Sequence, residues 1–362
     1  MIVGARPNFV KIAPLLHAVE KRSDLRATLV HTGQHYDPNL SQVFFDQLNI
    51  KKPDVSLGVS GGTHGSQTAQ ILEKTEVVFL KLLEEQGGCD RVVVVGDVNS
   101  TMAATLAAAK LQIPVSHVEA GLRSNDRSMP EEINRLVTDA VSDQLLVSEP
   151  AGVENLSREG HPPERVFLVG NLMIDTLTRL LPQARKLRFP QELGLEDNGY
   201  GVVTLHRPSN VDKQETLAEI MEVVTEVSSK IPMVFPVHPR TAAKLNEFGL
   251  MRRLEETPGL ILLPPAGYLE FLSLTSVAKV IISDSGGLQE ESTALGVACL
   301  TMRNTTERPC TTEKGSSTLV GNDASMLRHQ LSHVLNGSYD VGTCPELWDG
   351  NAAERIVEVL TR

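Results

Sequence analysis

Three acidic side chains stand at positions where buried strands end or a helix begins. Asp97 follows the run VVVVG, Glu119 follows VSHV, and Glu131 lies at the expected start of a helix. A carboxylate at the end of an inner strand has little water around it, which raises its pKa towards that of a general base. The simpler explanations are that Asp97 caps the next helix and that Glu131 and Glu132 are ordinary first-turn acids. The pattern indicates proton transfer and leaves Glu131 and Glu132 as alternatives.

A second stretch is suited to bind phosphate. SDSGGLQEES, residues 283–292, ends a strand and begins a helix. Gly286 and Gly287 let the backbone approach an anion, and the helix N-terminus supplies free N–H groups. Ser285 adds a hydroxyl donor, and Glu291, expected in the first turn of the helix, could accept the hydroxyls of a ribose. A tight strand-to-helix turn without a ligand is the alternative.

Four cations and two histidines follow predicted strands. Arg6 comes after the first strand, and Lys11 lies on the helix behind it. Arg303 or Arg308, in RNTTERP, could bind the same anion as these two residues.

The histidines are His206 in TLHRP and His238 in PVHPR. Each is either an acid–base or anion-binding group, or a local hydrogen-bond anchor. Cations, a phosphate-binding turn, carboxylates and a histidine together indicate acid–base chemistry on a nucleotide-linked substrate.

The segments that would position these residues alternate between short apolar strands and amphipathic helices, which indicates parallel sheets covered on both faces. After a short first strand, strands are expected at 27–33, 91–97, 114–119, 144–149 and 165–170, with helices at 9–21, 68–85 and 100–110. Residues 183–198 are interpreted as a connection. A second series has strands at 201–207, 232–239, 259–265, 279–287 and 297–303, with a helix at 212–229.

The fold expected from this order is α/β, with two doubly wound Rossmann-like domains facing a cleft. The first domain, residues 1–180, would carry the carboxylates, and the second, residues 181–345, would bind the nucleotide. A last helix, within residues 346–362, is expected to pack back on the first domain. Ligands of such sheets bind beyond the carboxyl ends of the strands, where all the candidate residues lie.

Composition excludes several classes of function. The net charge of −11 argues against binding to nucleic acid or anionic membranes. The four cysteines form no CxxC pair, so neither a zinc site nor a disulfide framework is expected. No apolar stretch is long enough to cross a bilayer, and no signal peptide is recognised, so a cytoplasmic location is expected.

Read in order, GARPNFVKIAPL, GDVNSTMAA, HVEAGLRS, MPEEINR, TLHRPSN, SDSGGLQEES and LTMRNTTERP resemble the non-hydrolysing UDP-N-acetylglucosamine 2-epimerases over nearly the whole chain. The resemblance implies a glycosyltransferase-B-like fold and a cytoplasmic homodimer. It implies reversible conversion of UDP-GlcNAc to UDP-ManNAc, without metal or other cofactor, for bacterial-type surface polysaccharide precursors.

The resemblance also implies residue roles. The acid–base carboxylates would be Asp97, Glu119 and Glu131, and His206 would contact the diphosphate. The remaining substrate-binding positions would be Arg6, Lys11, Phe271, Ser285, Gly286, Gly287, Glu291 and Arg308.

The sequence departs from the family in places. Residues 207–209 read Arg-Pro-Ser where many bacterial members have Arg-Arg-Glu, and Gln70 replaces an expected arginine, although Gln34 and His35 persist. Activation by a second UDP-GlcNAc molecule is therefore an open question. Residues 266–268 also differ, and the departures could mark a subfamily that acts on a modified sugar such as a diacetamido uronic acid.

Other activities remain alternatives to this interpretation. A hydrolysing epimerase would release free ManNAc, and a glycosyltransferase of the same fold would need an acceptor. A non-catalytic nucleotide-sugar-binding module has no use for three carboxylates and His206. A dinucleotide-dependent oxidoreductase is disfavoured because no GxGxxG follows an early strand.

Overall fold

The structure is a computed structural model that describes residues 1–33, 45–86 and 88–362. Gln34 and His35, named above, lie outside these ranges. The chain forms two compact units. The first consists of Met1–Thr176 together with Glu346–Arg362, and the second of Leu177–Pro345.

The first unit is built on a parallel sheet that has seven strands within the described residues, in the order β3-β2-β1-β4-β5-β6-β7. The strands are β1 Ile2–Val3, β2 Val30–His31, β3 Val55–Ser56, β4 Val92–Val95, β5 Val115–Val118, β6 Gln144–Val147 and β7 Val166–Leu168. In the register of β4 and β5, Val95 pairs with Val118. The segments that carry Asp97 and Glu119 therefore leave the sheet at the same edge.

Helices connect and cover these strands. They span Arg6–Glu20, His64–Gln86, Asn99–Lys110, Pro130–Val141, Pro150–Arg158, Leu172–Leu187 and Ala352–Leu360. The alanine-rich helix Asn99–Lys110 buries Ala103, Ala104, Ala107 and Ala108 in a core shared with Val92 and Val94. Small side chains let this helix lie close to the sheet.

The last helix, Ala352–Leu360, belongs to the first unit and packs on helix Arg6–Glu20. The carboxylate of Asp175 accepts the N–H groups of Ala352 at 3.1 Å and Ala353 at 2.7 Å, which satisfies free donors of the helix N-terminus.

The second unit has a parallel sheet of six strands within the described residues, in the order β10-β9-β8-β11-β12-β13. The strands are β8 Gly201–Thr204, β9 Met233–Pro236, β10 Leu260–Leu263, β11 Val280–Ser283, β12 Ala298–Thr301 and β13 Ser317–Leu319. Ser283 pairs with Thr204. His206 and Ser285 therefore follow neighbouring strands at one edge of the sheet.

The helices of this unit span Phe189–Glu192, Pro208–Val211, Gln214–Ser228, Pro239–Glu247, Met251–Glu255, Tyr268–Thr275, Gly286–Leu295, Pro309–Glu313 and Ala324–Asn336. A continuous apolar core fills the space between sheet and helices, with fully buried Val203, Leu217, Phe235, Ile282 and Leu327 among its members.

The α/β class with two parallel sheets is confirmed, and each strand predicted from residue 27 onward is present with its ends trimmed. The prediction that 183–198 is only a connection is wrong, because helix Leu172–Leu187 continues into it and helix Phe189–Glu192 follows. Pro190 is compatible with that short helix because it stands in the first turn, where its missing N–H is not needed. The short edge strands Val55–Ser56 and Ser317–Leu319 were not anticipated.

Candidate functional site

Asp97 follows β4 and lies just before helix Asn99–Lys110. The interpretation that it caps this helix is wrong, since Val98 is the N-cap residue and no side chain caps the helix. Oδ2 of Asp97 instead accepts a hydrogen bond from Nη2 of Arg135 at 2.5 Å. The Asp97 side chain is 33% exposed, whereas that of Arg135 is 3% exposed. The carboxylate is held by a buried cation and can still be reached from solvent.

Glu119 follows β5 and adopts an uncommon backbone conformation, with φ of +70°. A left-handed residue that is neither glycine nor asparagine is strained, and such residues persist where the surroundings fix them. Its side chain is 3% exposed, and Oε2 lies 2.5 Å from Nζ of Lys11. A Cβ at Gly96 would lie 3.4 Å from that oxygen and 3.3 Å from Nδ2 of Asn8. The φ of +71° at Gly96 and the close contact with Asn8 both favour glycine at this position beside the ion pair.

Glu131 and Glu132 are adjacent but differ in their surroundings. Glu132 is buried and accepts hydrogen bonds from N–H and Oγ of Ser124, N–H of Asn125 and Nη1 of Arg135, at 2.8 to 3.1 Å. Burial raises the pKa of Glu132, but these hydrogen bonds and the charge of Arg135 outweigh it, so the pKa is lowered. Glu131 is half-buried, and no described residue forms a hydrogen bond or ion pair with it.

Two residues of helix Pro130–Val141 that sequence reasoning missed connect it to the end of β4. Arg135 bonds the side chain of Asp97, and Nδ2 of Asn134 donates to the Asp97 carbonyl at 2.8 Å. Glu131 and Arg135 are four residues apart and lie on one helix face. That spacing was the available signal for Arg135.

His206 follows β8 in the second unit and pairs with Asp284, which follows β11. Nδ1 of His206 lies 2.8 Å from Oδ1 of Asp284, whose side chain is fully buried. Asp284 also accepts the backbone N–H groups of His206 and Arg207 and the amide of Asn210. Burial raises the pKa of Asp284, but the hydrogen bond and charge of His206 and the other donors lower it overall. The pairing engages Nδ1 of His206, and the histidine side chain is 41% exposed.

His238, the other strand-end histidine, is a local anchor. It is the N-cap of helix Pro239–Glu247, and its Nδ1 accepts the N–H of Arg240 at 3.2 Å. Its ring centroid lies 5.6 Å from that of His206. Burial, followed by the nearby charge of His206, lowers the pKa of His238. A ring that accepts at Nδ1 and is hard to protonate suits the capping role.

The turn predicted to bind phosphate begins helix Gly286–Leu295. Ser285 is the N-cap, and no side chain caps this helix. The Ser285 N–H donates to Oγ of Ser283 at 3.0 Å, which orders the turn. A Cβ at Gly286 would lie 3.0 Å from Oε1 of Glu307 and 3.3 Å from Nη1 of Arg303. The backbone N–H groups of the helix N-terminus therefore lie next to Gly286, where Glu307 and Arg303 leave little room for a larger side chain.

Glu291 lies in the second turn of this helix, so the expectation of a first-turn acid is wrong: the helix begins at Gly286. Oε1 of Glu291 accepts the hydroxyl of Tyr268 at 2.9 Å. Burial raises the pKa of Glu291 to about 7, with a smaller contribution from the charge of Glu290 and an opposing one from the Tyr268 hydrogen bond. Phe271, on the same helix as Tyr268, is half-buried against the core.

The predicted cations occupy different environments. Nη2 of Arg308 lies 2.8 Å from Oε1 of Glu290, and both side chains are buried. Arg303 forms an ion pair with Glu307 at 2.7 Å. Arg6 is exposed at the first position of helix Arg6–Glu20. Arg303 and Arg308, both in the second unit, are thus each paired with a carboxylate.

Over the described ranges, no three histidine, cysteine or acidic side chains are grouped closely enough to hold a metal ion. No helix within the same ranges combines the length and apolar character needed to cross a bilayer.

The fold defines a protein of two Rossmann-like α/β units, each with charged side chains where its strands end. The sequence model of the family described as UDP-N-acetylglucosamine 2-epimerase matches residues 17–361. The chain belongs to the UDP-N-acetylglucosamine 2-epimerase family.

Individual relatives match over nearly their full lengths. The UDP-N-acetylglucosamine 2-epimerase of Methanocaldococcus jannaschii is 40% identical, covering 100% of this chain and 98% of the relative. Its crystal structure in complex with UDP-GlcNAc and UDP matches with a TM-score of 0.87 over 99% of this chain and 98% of that one. The UDP-2,3-diacetamido-2,3-dideoxy-D-glucuronate 2-epimerase of Pseudomonas aeruginosa is 38% identical, covering 100% of this chain and 98% of the relative.

Proposed function

We propose that this protein is a non-hydrolysing epimerase that reversibly inverts C2 of UDP-GlcNAc to give UDP-ManNAc. The observation that carries the proposal is the set of Asp97, Glu119 and Glu131 at one edge of the first sheet, in a chain that belongs to this family. A protein that only binds a nucleotide sugar has no use for three carboxylates held in this way.

The chemistry explains why several groups are needed. The hydrogen on C2 is not next to a carbonyl, so it is a very weak acid. Departure of UDP from C1 builds oxocarbenium character and acidifies this hydrogen, and loss of both gives 2-acetamidoglucal and UDP. Addition of UDP back to C1, with protonation of C2 on the opposite face, completes the inversion. The enzyme must therefore supply a base, an acid and a group that stabilises the leaving diphosphate.

The surroundings of the carboxylates support their assignment as these acid–base groups. Arg135 holds the Asp97 carboxylate in place, and Lys11 holds that of Glu119, each by a contact of 2.5 Å. Glu131 is preferred over Glu132, because the oxygens of Glu132 already accept four hydrogen bonds whereas Glu131 has no such partner among the described residues.

The nucleotide is assigned to the second unit. Nε2 of His206, oriented by Asp284, would donate to the leaving diphosphate, and the helix N-terminus at Ser285–Gly287 would bind its oxygens. Glu291 would accept the ribose hydroxyls, and Phe271 would lie beside the uracil. Arg308 of the second unit would supply positive charge for the diphosphate, and Arg6 and Lys11 of the first unit stay predicted substrate-binding positions.

An epimerase of a modified UDP-sugar is the second candidate. The relative from Pseudomonas aeruginosa, named for a diacetamido glucuronate, matches the entire chain nearly as well as the relatives named for UDP-GlcNAc. The departures at residues 207–209 and 266–268 fit a difference in substrate. A panel of UDP-GlcNAc and UDP-2,3-diacetamido-2,3-dideoxy-glucuronate, compared by kcat/KM, decides between the two.

We extend the proposal to a cytoplasmic homodimer. The side chains of Val77, Leu80 and Leu83 are 60%, 44% and 40% exposed on helix His64–Gln86, at spacings that lie on one helix face. A face of this kind is suited to pair with a second copy. Light scattering should give twice the chain mass of 39.4 kDa, and Leu80→Glu should reduce it to a single chain. An unchanged mass for Leu80→Glu would remove this face from the proposal.

Product analysis tests the activity itself. The protein is incubated with UDP-GlcNAc without an acceptor, and the products are resolved by chromatography and proton NMR. UDP-ManNAc at equilibrium with UDP-GlcNAc is the expected result. Free ManNAc with UDP would identify a hydrolysing epimerase. Intact binding of UDP with no turnover of UDP-GlcNAc or of the diacetamido glucuronate sugar would leave a transferase or a binding protein.

A further inference from the structure

One buried histidine has an oxygen acceptor at each ring nitrogen. His117, on β5, is fully buried. Its Nδ1 lies 2.6 Å from Oδ1 of Asp139, and its Nε2 lies 2.9 Å from the carbonyl oxygen of Gly96. A carbonyl only accepts, so Nε2 carries a proton. Nδ1 then either donates to an ionised Asp139 or accepts from a protonated one.

The other contacts of Asp139 indicate that it is ionised. Its Oδ2 accepts the N–H of Gly121 at 3.0 Å and lies 2.7 Å from Nη2 of Arg123, which also pairs with Glu159. An ionised carboxylate cannot donate, so both ring nitrogens of His117 carry protons.

This pair is bonded to all three segments that carry the proposed acid–base residues. Gly96 directly precedes Asp97, and Gly121 lies two residues after Glu119. Asp139 itself lies on helix Pro130–Val141, and Glu131 is the second residue of the same helix. Both glycines have positive φ values, +71° and +78°, so the two hydrogen bonds hold the turns at which each strand ends.

Stability alone gives a poor account of such a pair. Two charged groups removed from water lose their hydration, and the attraction between them often does little more than offset that loss. A hydrophobic pair of similar size would fill the space, but it could not hold the Gly96 carbonyl and the Gly121 N–H.

We propose that His117 and Asp139 are positioning residues, an imidazolium–carboxylate pair that fixes Asp97, Glu119 and Glu131 relative to one another. The inference rests on the proposed epimerase function for its kinetic consequence, whereas the charge state of His117 is independent of it. Neither residue touches the substrate in this account.

The charge state is tested in the unmodified protein. Nitrogen-15 NMR of the histidine-labelled chain, with the signal of His117 identified by its loss in His117→Gln, should show protons on both ring nitrogens at neutral pH. The Nδ1 proton should be shifted far downfield by the short bond to Asp139. A His117 ring with one unprotonated nitrogen would overturn the proposal, whether or not the protein is an epimerase.

The positioning role is tested with Asp139→Asn and a matched control. Asp175→Asn makes the same change at another buried carboxylate of the first unit, one that accepts two backbone N–H groups. We expect Asp139→Asn to lower kcat ~100-fold, as misplaced catalytic groups do, with KM and the affinity for UDP changed less than about twofold. Asp175→Asn should leave kcat within about twofold.

Equal losses of kcat in the two variants, or an unchanged kcat in Asp139→Asn, would contradict the positioning role. If Asp139→Asn does not fold, Asp139→Glu, which keeps the charge and moves it by one methylene, takes its place with the same expected loss confined to kcat. Absence of epimerisation in the unmodified protein would refute the proposed function and with it the kinetic part of the inference, and the NMR result would still decide the charge state.

Discussion

Nζ of Lys11 lies 2.5 Å from Oε2 of Glu119, and the two residues are 108 positions apart in the chain. The Glu119 side chain is buried on a residue with left-handed backbone, and the Lys11 side chain is 15% exposed. The predicted phosphate-binding lysine is therefore also the counter-charge of a proposed catalytic carboxylate.

Lys11→Met should abolish most turnover. Removing one member of a buried ion pair leaves the other charge uncompensated, which costs about 3 kcal/mol of stability. We expect urea unfolding to report a loss of that order and kcat to fall ~100-fold, since Glu119 loses the contact that holds it. Lys21→Met, at a lysine whose side chain is 71% exposed, is the control and should behave as the unmodified protein. Normal kcat in Lys11→Met would refute the assigned role of this pair.

Glu131→Gln should impair turnover, whereas Glu132→Gln should impair stability. Glu131 has no hydrogen bond to the described residues, so Glu131→Gln should keep the unfolding midpoint and lower kcat by a factor of ~100 to 10,000, the range for loss of an acid–base group. Glu132→Gln replaces an acceptor of four hydrogen bonds and should lower the melting temperature by several degrees. Thermal unfolding and turnover are measured on both. A large loss of kcat in Glu132→Gln with a loss of stability in Glu131→Gln would instead make Glu132 the acid–base residue.

His206→Gln should slow turnover ~100-fold, because the variant loses the ring that pairs with Asp284 and is proposed to donate to the leaving diphosphate. His329→Gln, at an exposed histidine of helix Ala324–Asn336 in the same unit, should leave kcat within about twofold. Steady-state kinetics on both variants checks this. A loss confined to KM would show that His206 only binds the substrate.

Glu291 should make the stability of the protein fall with rising pH. Its pKa is about 7 in the folded chain against an ordinary 4.5, so between these values the folded state binds more protons than the unfolded state. The stabilising contribution of this group is therefore largest below pH 4.5 and is lost as the pH rises through about 7, by about 3 kcal/mol. Glu291→Gln should remove that decline, so its stability relative to the unmodified protein rises between pH 5 and pH 8. Urea unfolding of both proteins at pH 5 and pH 8 measures this difference in stability. The same difference at both pH values would contradict the raised pKa of Glu291.

The sequence alone predicted the strands well, because a continuous apolar run such as VVVVG is unambiguous when amphipathic helices flank it. It also identified the acids at the ends of those strands. The partners of those acids could not be predicted, because Lys11 with Glu119 and Arg135 with Asp97 depend on which strand ends meet in space. The choice between Glu131 and Glu132 likewise required the loop at Ser124, whose N–H and hydroxyl engage only one of them.

Helix starts were the less predictable features. Glu291 lies one turn later than expected, because the N-cap position of the helix is Ser285 rather than a later residue. The connection expected at 183–198 is partly helical, because a proline tolerated in a first turn resembles a helix breaker in the sequence.

The most direct test of the central claim is solvent exchange at C2. The protein is incubated with UDP-GlcNAc in D₂O without an acceptor, alongside Asp97→Asn, and deuterium at C2 is followed by NMR and mass spectrometry. The account predicts deuterium at C2 together with UDP-ManNAc for the unmodified protein, and no exchange with preserved UDP affinity for Asp97→Asn. UDP-ManNAc formed with the C2 hydrogen retained, or undiminished exchange in Asp97→Asn, would contradict it.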